Sequence, residues 1–90
     1  MYKINNHASI DIFEDGAIIQ LKEEFYAVDL IAYEMLEKLI EMQNTDEVLA
    51  SIEKTYFVDI DTAARDLHAI LKNYKEIGVL EEPSYQNEKI

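Results

Sequence analysis

The residue types that carry most enzymatic chemistry are sparse in this chain and poorly spaced. His7 and His68 are far apart in sequence, and neither has a second ligand at metal-binding spacing. A catalytic triad needs a placed nucleophile, whereas Ser9, Ser51 and Ser84 fall in an edge strand, a helix and a tail. The acidic pairs Glu23-Glu24 and Glu81-Glu82 have the form of acid–base groups, but among 19 acids random adjacency accounts for them. They read as solvated charge. Two glycines in all leave no phosphate-cradling loop, and the absence of cysteine removes disulfides and thiolate metal sites. Neither catalysis nor a cofactor is expected.

One set of side chains exceeds the needs of a core. Ala64, His68, Leu71 and Lys75 follow one another at i, i+4, i+7 and i+11, on one flank of a helix predicted over 61–77. Taken singly, Leu71 completes a core and His68 is a surface residue. As a set they suggest a partly apolar wall with hydrogen-bonding and cationic groups at its rim.

Three strands and three helices must position that wall. Residues 1–7 are polar and expected to fray. From Ala8, with Ile10 and Ile12, the pattern alternates against Ser9, Asp11 and Phe13, as in a half-buried strand. Glu14-Asp15-Gly16 supplies a turn, Ala17 to Leu21 a second strand, Lys22-Glu23-Glu24 a hairpin loop, and Phe25 to Val28 a third strand. At Asp29 the period changes. Asp29 caps a first helix from Leu30, Asn44-Thr45 ends it and caps a short second helix, and Asp59 caps the third. Along the third, Ala63, Leu67, Ile70, Tyr74 and Ile77 form one apolar stripe, and Gly78 stands where a left-handed residue ends a helix. Val79 and Leu80 then fold back. The fold class is α+β and winged helix-turn-helix-like: a three-stranded antiparallel sheet followed by three helices. One domain spans 8–82, and 83–90 reads as a flexible tail.

Composition narrows the partners. A hydrophobic fraction of 49% in 90 residues is enough for one folded core. The formal charge of -11 repels nucleic acids and anionic membrane surfaces, and the lysines are scattered rather than clustered. There is neither a signal-peptide pattern nor an apolar run of membrane-spanning length, so a cytoplasmic protein is expected.

The order of motifs carries a resemblance. "DGAIIQL", a short turn, "FYAVD", a helix ending in "LEKL", then "VDIDTAARDLHAILKNYKEIGVLEE" resembles the PqqD-like family of peptide-recognition domains. The matching positions are Asp15-Gly16, Phe25 to Asp29, Gly78-Val79-Leu80, Asp59 before the last helix and Asp66 within it. Val28-Asp29 stands where the family has Leu-Asn, and the loop between the second and third strands lacks the usual glycine.

The resemblance implies that the leader segment of a ribosomally made precursor peptide lies along the third strand as an added strand. Implied peptide-binding residues are Phe25, Tyr26, Ala27 and Val28, with Ala64, His68, Leu71, Lys72 and Lys75 on the last helix as the other wall. The protein would be non-catalytic and would deliver its peptide to a modifying enzyme or leader peptidase, with lasso-peptide systems favoured. A winged-helix transcription regulator, or another small protein-interaction module, is the alternative. Against a regulator, the last helix balances Asp61, Asp66 and Glu76 with Arg65, Lys72 and Lys75.

Overall fold

The computed structural model describes residues 1–82, so the tail expected over 83–90 lies outside the described residues. Three strands, β2 (Ser9–Phe13), β3 (Gly16–Leu21) and β4 (Glu24–Asp29), form an antiparallel sheet in the order β2-β3-β4. Helices α1 (Leu30–Met42), α2 (Thr45–Tyr56) and α3 (Ile60–Glu76) follow. This is the expected α+β arrangement. No helix among the described residues is long and apolar enough to cross a membrane.

Alternation decides which sheet face meets the helices. Along β3, Ala17, Ile19 and Leu21 are buried while Ile18 and Gln20 are exposed, and Val28 of β4 joins the buried face. That face packs on Met35, Leu36 and Leu39 of α1, with Val48, Ile52, Ala63 and Leu67 from the other two helices completing the core. The opposite face has no helix over it, which leaves Phe13, Ile18 and Phe25 exposed.

Local signals set the helix ends. Asp29 accepts the Ala32 N–H at 2.8 Å, Asn44 accepts that of Glu47 at 3.0 Å, and Asp59 accepts that of Thr62 at 3.2 Å. Gln43 and Phe57 hold the left-handed ends of α1 and α2, and Gly78, at φ 89, follows α3.

Two details differ from expectation. The connection between β3 and β4 is Lys22-Glu23 alone, because Glu24 pairs with Leu21. Lys22 takes φ 59 there, the positive φ a tight hairpin requires and a glycine more often supplies.

The N-terminal segment, expected to fray, is paired instead. Strand β1 (Lys3–Ile4) runs antiparallel to β5 (Leu80–Glu81), and the Asn5 side chain donates to the Gly78 carbonyl at 2.9 Å. The cause is the fold-back after Gly78. Val79 and Leu80 are buried, so their backbone lies fixed beside the N-terminus, and Tyr2 and Ile4 pack against the core.

Candidate functional site

Among the described residues β4 is an edge strand, paired with β3 on one side only. Leu21 and Glu24 flank a two-residue turn and so form the hydrogen-bonded pair that closes it. Alternation from that pair turns the backbone groups of Glu24, Tyr26 and Val28 toward β3 and those of Phe25 and Ala27 outward. Among the described residues, no backbone hydrogen bond outside the sheet ladder involves Phe25 or Ala27. An unpaired N–H and C=O row is a template for another extended chain.

The open edge faces α3 across a gap. Phe25, Tyr26 and Ala27 line one side of an open groove of about 510 Å³, and Ile70, Asn73, Tyr74 and Ile77 line the other. Toward the start of α1 a recess of about 330 Å³ continues it, sharing Ala69 and Ile70 and adding Asp29, Ala32, Met35 and Asp66. Tyr26, Ile70, Tyr74 and Ile77 are half-buried, so they present apolar surface without being sealed in the core. The Tyr74 phenol titrates above the ordinary tyrosine range, first because burial disfavours its anion and then because Asp29 adds negative charge nearby. Acidic groups mark both ends, Asp29 and Asp66 at one and Glu76 at the other, and among the described residues no lysine or arginine lines either cavity.

The structure brings together only part of the sequence-derived set. Phe25, Tyr26 and Ala27 line the groove, while Val28 points into the core. His68, Leu71, Lys72 and Lys75 surround a second depression of about 430 Å³ that shares only Glu76 with the groove, and Ala64 lines neither cavity. These five lie on the flank of α3 turned away from β4. At 100° per residue, positions 64, 68, 71 and 75 fall on one side of the Ala63–Leu67 line and positions 66, 69, 73 and 76 on the other. Lys75 is held by Glu82 at 2.7 Å, which raises its pKa.

The groove-facing residues Asp66, Ala69, Ile70, Asn73, Tyr74 and Ile77 were absent from that set. Ile70, Tyr74 and Ile77 belong to the apolar stripe of α3, yet only Ala63 and Leu67 of that stripe are fully buried. A tyrosine within that stripe was the available signal. Among the described residues, no group of three or more His, Cys, Asp or Glu is placed to hold a metal ion. The arrangement suits an extended apolar chain, held by backbone hydrogen bonds on one side and side-chain packing on the other.

No family model matches this chain, and no curated protein matches it. Among solved structures, TbiB1 in complex with the TbiA(beta) leader peptide has TM-score 0.78 and 21% identity, over 91% of this chain and 98% of that one. A lasso peptide synthetase B1 complexed with the leader peptide is 18% identical with TM-score 0.79, over 90% of this chain and 98% of that one. At these identities the likeness is one of fold, and it runs through nearly the whole length of both.

Proposed function

We propose that this protein binds the leader segment of a ribosomally synthesised precursor peptide by strand addition to β4. The leader lies in the groove between β4 and α3, and the protein hands it, without chemistry of its own, to a modifying enzyme or leader peptidase in the cytoplasm. The observation that carries this reading is the outward backbone of Phe25 and Ala27, opening onto a groove walled by Ile70, Tyr74 and Ile77. The fold shared with two proteins solved with leader peptides supports it, and favours a lasso-peptide system. The peptide-contacting set becomes Phe25, Tyr26, Ala27, Ala69, Ile70, Asn73, Tyr74 and Ile77, in place of the opposite flank of α3. A nucleic-acid role finds no support in the -11 charge or in the acidic ends of the groove.

The test titrates synthetic leader segments of lasso-peptide precursors against the protein by fluorescence polarisation. Proline at Ala27 removes an outward N–H, which an edge strand tolerates. Ala27→Pro is expected to weaken binding by at least about tenfold, with an unchanged far-ultraviolet spectrum. In the wild-type complex the Phe25 and Ala27 amides should gain protection from hydrogen exchange. Undiminished affinity in the folded variant would sink strand addition at this edge.

A further inference from the structure

The recess that extends the groove combines two kinds of surface. Ile31, Ala32, Met35 and Ile70 give it apolar walls, and Asp29 and Asp66 place carboxylates on it. A lysine or arginine side chain needs that pairing: a methylene stem packs on apolar surface while the charged head meets an anion. Asp29 spends only Oδ1 on capping α1, accepting from Ala32 at 2.8 Å. The Asp66 carboxylate makes no hydrogen bond or ion pair among the described residues, whose two ion pairs are Lys3–Glu81 and Lys75–Glu82. Among the described residues no cation of the chain's own lines the groove, and burial, followed by the negative charge of Asp29, raises the pKa of Tyr74. With a formal charge of -11, the whole molecule attracts a basic segment and repels an acidic one.

We propose that the groove selects a peptide segment in which a lysine or arginine accompanies the apolar residues, the cation seated in the recess against Asp29 and Asp66. This rests on the leader-binding reading above and adds the chemistry of the segment to it. The apolar positions fill the space before Ile70, Tyr74 and Ile77, and the basic residue fixes the register of the added strand. A strand slipped by one residue would turn that side chain to the opposite face.

The probe is a displayed library of random twelve-residue linear peptides, selected on the immobilised full chain at low salt. The enriched peptides are expected to share a lysine or arginine beside apolar residues at alternate positions. For a synthesised winner, replacing its basic residue by glutamine should weaken binding roughly fivefold, and Asp66→Asn should do the same. Combining the two changes should add little, and high salt should erase the difference. Winners that lose affinity on Ala27→Pro yet show no basic preference, or bind Asp66→Asn as well as wild type, overturn the charge selection while strand addition stands. No enrichment, or winners indifferent to Ala27→Pro, overturns both.

Discussion

Gln43 holds the backbone of Tyr2 from both sides. Its Oε1 accepts the Tyr2 N–H, and its Nε2 donates to the Tyr2 carbonyl at 2.8 Å and to the Ile40 carbonyl at 2.7 Å. One side chain at the end of α1 thereby fixes the chain entering β1. Gln43→Ala should lower stability by about 1–3 kcal/mol, since each lost hydrogen bond is worth about 1 kcal/mol net. Amides of residues 3–5 should exchange faster, and peptide affinity should stay the same. Urea unfolding with hydrogen exchange reads both; wild-type stability would mean that the β1–β5 pairing suffices alone.

Gly16 faces the third strand of the sheet with no room to spare. A Cβ there would run into the Val28 carbonyl oxygen and sit 3.2 Å from the Asp29 Cα. The obstacle is backbone and cannot rotate away. Gly16→Ala should therefore cost about 2 kcal/mol or more in a denaturant melt, and it should also weaken peptide binding, because β4 must shift to relieve the contact. A variant of unchanged stability would contradict so close an approach.

The two flanks of α3 should separate under mutation. Leu71 is half-buried on the flank away from β4 and packs against the core. Leu71→Ala should lower stability by about 1–3 kcal/mol, below the full core range, with affinity retained in the folded fraction. Ile70→Ala, inside the groove, should cut leader affinity more than about tenfold. Peptide titration beside a denaturant melt for each variant tells them apart, and the reverse pattern would move the binding wall to His68, Leu71 and Lys75.

Alkaline titration gives a check on the groove without any peptide. Burial first, and the Asp29 charge second, raise the Tyr74 pKa in the folded protein. The folded state holds this proton more tightly than the unfolded chain, where tyrosine titrates near ~10. The associated stability is complete below that pH and is lost as pH climbs through the folded pKa. Tyrosinate absorbance should show a late phase that Tyr74→Phe reduces, and the variant's stability should fall less steeply in alkali. Identical curves would place Tyr74 in open solvent.

Much of the fold was legible because its signals are local. Asp29, Asn44 and Asp59 each cap the helix their sequence position announces, and the alternation of Ala17, Ile19 and Leu21 fixes the buried face of β3. Strand β1 was not legible. Lys3-Ile4 is too short to show a period, and its partners Glu81 and Leu80 stand at the other end of the described residues, so only tertiary structure decides the pairing. Half of the groove was visible in Phe25, Tyr26 and Ala27. The other half was not, because periodicity tells which face of α3 is apolar but not how far along that face its neighbours α1 and α2 extend. Ala63 and Leu67 are covered; Ile70, Tyr74 and Ile77 carry the same stripe past the cover and into the groove.

The pairing of β1 with β5 closes the chain path on itself, with Lys3 opposite Glu81 and joined to it by an ion pair at 3.5 Å. A domain whose entry and exit lie side by side behaves as a cassette. Such a cassette fits within a single surface loop of a larger protein, both connections leaving from one spot. The same closure permits circular permutation, with residues 3 and 81 bridged by a short linker and new ends opened at the exposed Glu14-Asp15 turn.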